Sequence, residues 1–452
     1  MWKRQERREI MKRYLLILLT VFLTIVLFVG VGYADDPKEI RIGACESATG
    51  MFSGFATGGI FGMKAAVADI NKQGGIFVRK YNRKLPVRLI VVDNQSDPAK
   101  AGTLATNLIL RDKVHLLMNS PGPATMFNPQ SIAAERNKIP YIAGEGPLEP
   151  WQAARMSADP PWQYTWGFGF AIGKPAPEGD FRHGKKGYSV VDTWFDLLAL
   201  FRDKTNEKIA LFATDEADGR GWYMNFPKAL ESIGFDVVGE EKELGLVKVG
   251  TTDFSSLIRE WKRNKCEILV GNSTAPDFAT MWRQARAMGF IPKIAMIGRA
   301  TLFYEDIAAL GGDLPLGLGA EILWRQDYPA DRFPGIGGRT PMSLFEAWKE
   351  QTGKPLNQGI GWGYFPMQVA FEAIRIAGSL EGPAISKAIG EVDIPTISGR
   401  AVFTKEEQHC RLPLTYGQWM KTDKPEKWEN PIIFSKHDFI KIMAKPIFPI
   451  PR

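Results

Sequence analysis

The side chains with the widest reactive chemistry, cysteine and histidine, are sparse in this chain. The three cysteines, Cys45, Cys266 and Cys410, are odd in number and far apart. Two readings stand open for them: one bridged pair in an oxidising compartment, or three buried free thiols. His115, His183, His409 and His437 are scattered with no metal-ligand spacing, so a hydrolytic zinc site is not expected. The chain has no Gly-x-Ser-x-Gly elbow, no P-loop and no Gly-x-Gly-x-x-Gly turn. The glycines around residues 58–62 read as a loop-to-helix entry. Neither an enzyme nor a cofactor nor a metal is expected. What remains is the chemistry of recognition. Ser47-Ala48-Thr49-Gly50-Met51-Phe52-Ser53-Gly54 is a Gly/Ser/Thr loop. Hydroxyls and the N–H groups at a helix start bind carboxylates without any lysine.

Such a loop works only if strands and helices hold it. Residues 39–44 read as a short strand that leads into it. Ile60, Met63, Val67 and Ile70 then fall at helical spacing, and Gly74-Gly75 stops that helix. Residues 87–92 are near-continuously apolar, the pattern of a strand buried on both faces. Asp97-Pro98 is an N-cap with proline at the first helical position and opens a helix to about Arg111. Residues 114–118 read as a strand, 124–137 as a helix and 141–143 as a strand. Repeated βαβ units of this kind predict a doubly wound α/β sheet with right-handed crossovers.

Residues 145–187 break the pattern. They are rich in proline, glycine and aromatics, including Trp151, Trp162, Tyr164, Trp166, Phe168 and Phe170. The segment reads as an insertion that either packs on its own aromatics or contributes to a pocket. The alternation then restarts. Helices are expected over 188–202, 222–233, 254–262 and 278–288, and strands over 208–212, 236–239, 267–270 and 293–297. Helices over 343–351 and 364–377 follow, and strand-like pieces over 400–403 and 414–420. This is a second lobe with the same grammar. The ligand of an open α/β sheet sits beyond the carboxyl ends of its strands.

Composition sets the compartment. Lys12 and Arg13, an apolar run over 15–31 and the small-x-small site Gly32-Tyr33-Ala34 form a secretory signal over residues 1–34. An uncleaved anchor is the competing reading, because the apolar run is at the short limit for a span. Met1 or Met11 is the start. No lipobox cysteine follows the apolar run. The formal charge of the whole chain is +7, and six of the basic residues (Lys3, Arg4, Arg7, Arg8, Lys12, Arg13) precede the cleavage site against Glu6 and Glu9. The mature chain is therefore only weakly basic, and no basic run with interleaved aromatics points to nucleic acid.

Several motifs in order resemble the type I solute-binding proteins of ABC importers, in the branched-chain amino-acid-binding group. They are Ile42-Gly43 through Thr49-Gly50 and Gly54, and Asp69-Ile70-Asn71-Lys72-Gln73-Gly74-Gly75-Ile76. Val92-Asp93-Asn94 with Asp97-Pro98 and Ala101 follows, then Lys113-Val114 with Ser120 to Ala124, and Ile139-Pro140-Tyr141-Ile142. Ala285-Arg286-Ala287-Met288-Gly289 closes the series in the second lobe. The resemblance runs over about residues 39–425. It implies a two-lobed type I periplasmic binding fold, exported to the periplasm, that clamps a small-molecule ligand by hinge closure. Implied partners are an ABC permease and its ATPase, with the binding protein a monomer. A ligand sensor of the same fold is the alternative.

The lobes implied are 35–205 with 328–400, and 206–327 with 401–452, joined by strands crossing near 200–207, 322–330 and 396–404. Carried over by position, the ligand residues of the first lobe are Phe52 and Ser53, then Ser120, Ala124 and Thr125, then Ala143, Gly144 and Glu145. Ordinary turn chemistry and capping is the competing reading of each. The second lobe departs from the pattern. Asp218 stands where the family carries a tyrosine, with Trp222 after it, and Arg299 stands where an acidic residue would hold an amino group. Met51, Phe52, Phe55, Met126, Phe127 and Trp222 point to a large, flat, apolar ligand, or else to core. The expected ligand is an organic acid with an apolar or aromatic body, ahead of a branched-chain or other amino acid.

Overall fold

Apolar strands with both faces covered build two mostly parallel sheets in the computed structural model. The model describes residues 2, 7, 11–13 and 36–450. The chain divides after Lys38, and the body described below is Glu39–Arg452. The expected cleavage site and most of the expected export signal lie outside the described residues.

The first sheet has six strands in the order His409–Arg411, Thr165–Phe170, Tyr141–Pro147, Leu116–Met118, Ile40–Glu46 and Val87–Asp93. Its ladders are all parallel. The second has eight strands. Its path runs Leu246–Val247, Lys208–Thr214, Ile268–Asn272, Ile294–Gly298, Gly319–Ile322, Thr415–Gln418 and Ile432–Phe434, with Asp236–Val237 added on Lys208–Thr214. The last two on the path are antiparallel additions. Ile42, Leu116, Leu117, Ile209, Leu269 and Ile294 are wholly buried, as strands covered on both faces require. The fold is two α/β lobes, as expected.

Local chemistry sets the helices. Pro98–Leu110 opens at Asp97, whose Oδ1 accepts from Ala99 N at 2.8 Å and Lys100 N at 3.1 Å. Pro341–Thr352 opens on a capping box between Thr340 and Ser343. Ser53–Lys72 and Gly359–Ala377 meet backbone to backbone through glycines. A Cβ at Gly363 would stand 2.1 Å from Gly59 O, and one at Gly62 would stand 2.1 Å from Ile360 O.

Three expectations need correction. Residues 145–187 are not an insertion. They hold the helix Leu148–Ser157 and the strand Thr165–Phe170, one more βα repeat of the first sheet. Trp151, Trp162, Trp166 and Phe168 are core. The first crossing falls within residues 171–189 rather than 200–207. The short helices Val191–Phe195 and Asp196–Ala199 already belong with the second lobe, where Trp194 packs on Trp222, Phe226 and Tyr416. The carboxylate of Glu149 ties down the start of this crossing by accepting from Ile172 N, Gly173 N and Lys174 N at 2.7–2.8 Å. The third crossing is residues 412–414 rather than 396–404. Gly399–Val402 makes a two-stranded ribbon with Asp393–Thr396, and the chain then returns to the first sheet at His409–Arg411. The second crossing spans residues 323–339, ending where Arg339 pairs with Asp69 of the first lobe at 2.7 Å.

Cys45, Cys266 and Cys410 are free and buried.

Candidate functional site: a cleft between the lobes

Both sheets end their strands at a shared cleft. From the first lobe it is lined by Phe55, the Pro121-Gly122-Pro123 turn, Gly146, Pro147, Phe170 and Trp362. From the second lobe come Asp218, Trp222, Asn272, Arg299, Leu302, Glu321 and Leu323. The lobes are in contact across it. Phe170 meets Trp222 edge-on with ring centroids 6.2 Å apart, and Phe55 meets Phe303 edge-on at 4.9 Å. The space left between them is about 30 Å³. The cleft is therefore an aromatic vice whose jaws come from different lobes.

Its polar groups have a definite order. Arg299 follows the strand Ile294–Gly298 and holds a φ of 61°, an uncommon backbone for a side-chain-bearing residue. Its Nη2 donates to Glu216 Oε1 at 2.6 Å and to Thr214 Oγ1 at 2.9 Å. Its Nε donates to Ser273 O at 3.2 Å, and its Nη1 pairs with Asp218 Oδ2 at 3.0 Å. Arg299 is thus a buried counter-ion for two carboxylates. Glu216 also caps the helix Ala217–Ser232, accepting from Asp218 N and Gly219 N. Burial raises its pKa, but Arg299 and these N–H donors outweigh it and hold it below the ordinary value. Burial pushes Asp218 up to about 6, against the pull of Arg299.

Glu321 has less support. It is 3 % exposed, and its Oε2 has no hydrogen-bond partner among the described residues. Burial pushes its carboxyl up to about 7. Glu46 sits deeper, at the end of Ile40–Glu46. Ser120 donates to it twice, from N at 2.8 Å and from Oγ. Burial still wins and pushes Glu46 up to about 7. The hydroxyl of Ser120 is therefore engaged by a protein carboxylate.

The residues expected from sequence divide. Asp218, Trp222 and Arg299 line the cleft, and Phe52 and Ser120 line small hollows beside it. Ser53, Ala124, Thr125, Ala143 and Gly144 do not line it. Ala124 and Ala143 pack into the first-lobe core, and Gly144 N donates to Asn119 Oδ1. Glu145 lies in the strand Tyr141–Pro147. Phe127 is wholly buried core, whereas Phe55 reaches the cleft. Glu46, Asn272, Glu321 and Trp362 went unrecognised in the sequence, and Phe170 was named only among the aromatics of residues 145–187. Two of them carried a signal: Glu46 closes an apolar strand, and Glu321 interrupts the apolar stretch of residues 314–324.

A periplasmic binding protein family model matches residues 39–424. Solved structures with similar folds cover nearly all of their own length. A leucine-binding protein from Thermotoga maritima is 17% identical at a TM-score of 0.67, covering 88% of this chain and 99% of that one. A branched-chain amino acid transporter substrate-binding protein from Streptococcus pneumoniae, in complex with isoleucine, is 16% identical at 0.63, covering 87% and 99%. An ABC-transporter solute-binding protein from Rhodopseudomonas palustris, in complex with 3,4-dihydroxybenzoic acid, is 16% identical at 0.63, covering 90% and 99%. With the family model spanning most of its length and two α/β lobes meeting at an aromatic cleft, this chain belongs to the periplasmic binding protein family.

Proposed function

We propose that this protein is the solute-binding subunit of an ABC importer, working in the periplasm and delivering its ligand to a permease and ATPase in the inner membrane. The ligand is a compact organic molecule held between the lobes. The observation that carries this reading is the cleft whose aromatic walls, Phe55, Phe170 and Trp362 against Trp222, come from both lobes. An apolar body fits such walls, and closing the lobes removes it from water.

The polar groups bear on the two ligand classes expected from sequence. The donors that would have received a carboxylate, Ser120 Oγ and Arg299, already hydrogen-bond to Glu46 and Glu216. Among the described residues, the cleft groups without a hydrogen-bond partner are the acceptors Glu321 Oε2 and Asn272 Oδ1, the indole N–H of Trp222, and Arg299 Nη1, which is ion-paired with Asp218. A buried carboxyl is kept ionised by an opposite charge at close range. This supports a ligand whose polar end donates, an amino acid with a large apolar or aromatic side chain, ahead of a carboxylic acid without a donor. Calorimetry with leucine, isoleucine, valine and phenylalanine beside benzoate tests it. Saturable binding of at least one amino acid is expected, and benzoate binding with no amino-acid binding would reverse the order.

A further inference from the structure

Behind one wall of the cleft lies a larger cavity that the clamp does not use. The chain from Gly319–Ile322 into the second crossing alternates between the two spaces. Glu321 and Leu323 line the cleft, and Ile322 and Trp324 line the cavity. The cavity has a volume of about 300 Å³, within the range of small-molecule sites. Its apolar walls are Trp324, Trp419, Trp428 and Phe345, with Leu356. Trp324 Nε1 donates to Ile397 O at 2.9 Å and Trp419 Nε1 to Thr301 O at 2.7 Å, so the indole carbons are what these rings offer an occupant.

The charges at the cavity are already paired. Lys349 meets Glu426 at 3.3 Å, Lys424 meets Glu429 at 2.6 Å and Arg325 meets Asp327 at 2.7 Å. An occupant therefore needs no net charge. It does meet unanswered acceptors. Gln326 and Asn430 both line the cavity, and Gln326 Oε1 and Asn430 Oδ1 are buried without a hydrogen-bond partner among the described residues. Buried acceptors of this kind are ordinarily satisfied, by protein, water or ligand.

We propose that this cavity is a second small-molecule site, taking a neutral single-ring aromatic that carries a hydroxyl or N–H donor. The ring lies among the tryptophans and the donor meets Gln326. Phe345 and Leu356 enter from the side of the helices Pro341–Thr352 and Gly359–Ala377, whereas Trp419 and Trp428 belong with the second sheet and its terminal hairpin. An occupant thus grips both lobes beside the 323–339 crossing. Binding there is coupled to binding in the cleft, and by linkage the coupling is reciprocal.

The test is ¹⁹F NMR of 4-fluorophenol and 4-fluoroaniline with the full mature chain. Saturable binding of at least one probe is expected. Gln326→Leu should weaken it about tenfold, the size of one lost hydrogen bond. Leu356→Trp, which fills the cavity, should abolish it, and Glu321→Gln in the cleft should leave it in place. Absence of saturable binding by both probes overturns the proposal. So does binding that survives both cavity variants, or binding lost only in Glu321→Gln. A crystal soaked with 4-fluorophenol gives the answer without any variant: density against Trp419 and Trp428 supports the site, and density only in the cleft refutes it.

Discussion

Arg299 shows how a residue's neighbours decide its role. A cation after a strand end suggests a carboxylate ligand, yet Glu216 and Asp218 hold this one at 2.6 and 3.0 Å. Removing it leaves two buried carboxylates without their partner. Breaking a buried pair in this way costs about 3 kcal/mol or more. Arg299→Ala should therefore lower the urea midpoint of the ligand-free protein markedly, and an unchanged midpoint would refute the counter-ion role. Glu46 and Glu321 respond to pH in a defined direction. Their folded pKa of about 7 lies above the ordinary 4.5, so the folded state holds these protons more tightly than the unfolded chain. Their contribution is complete below pH 4.5 and is lost as pH rises through 7, about 3 kcal/mol for each. Stability should fall between pH 5 and pH 8, and the slope should shrink in Glu46→Gln and in Glu321→Gln. Equal slopes in wild type and both variants would contradict the burial of these acids. The carboxylate partners of Arg299 stand two residues apart in Glu216-Ala217-Asp218, so they were visible in sequence. Their proximity to residue 299 was not, because it depends on the parallel strands Lys208–Thr214 and Ile294–Gly298 ending on either side of Ile268–Asn272.

At the level of elements, the seam between Ser53–Lys72 and Gly359–Ala377 positions the floor of the site. Gly59 has no room for a side chain: a Cβ there would stand 2.1 Å from Ser120 Cβ. Gly59→Ala should overpack this contact at about 1–3 kcal/mol and displace the turn at Pro121-Gly122-Pro123. A fall in both melting temperature and ligand affinity is expected, and a variant with wild-type values of both would deny the seam its role. Most elements were legible because their signals are local. Asp97-Pro98 marks one helix start, and continuous aliphatic runs mark the strands Ile268–Asn272 and Ile294–Gly298. The strand Thr165–Phe170 was hidden by its Gly-Phe-Gly-Phe composition and flanking prolines. The strand His409–Arg411 was hidden because its three residues carry no apolar run. Only the parallel partner supplied by Thr165–Phe170 makes it a strand.

For the whole molecule, the two lobes touch through aromatic contacts while three crossings join them. Hinges of this sort absorb backbone change at a few positions. Small-angle scattering should show a smaller radius of gyration with a saturating cleft ligand than without one, and identical profiles would argue against the clamp. A general rule of open α/β sheets, that ligands sit beyond the strand ends, pointed from sequence to the loops that border this cleft. Of the side chains that line the cleft, Phe55, Asp218, Trp222 and Arg299 were named from sequence, and Glu321 and Trp362 were not. Phe55, Phe170, Glu321 and Trp362 are far apart in sequence and converge only through the packing of two sheets, so no spacing rule in one chain announces them.

The aromatic wall of the second lobe has an optical consequence. Trp222 lines the cleft and stands 5.5 Å from Trp194, which stands 5.3 Å from Tyr416 in the interior. Rings this close share excitation. Light absorbed deep in the lobe can therefore be emitted from the indole that faces the ligand. Of the chain's 13 tryptophans, Trp222 and Trp362 line the cleft itself. Intrinsic fluorescence should therefore change when the proposed ligand fills the cleft, and an unchanged spectrum at saturation would count against occupancy there.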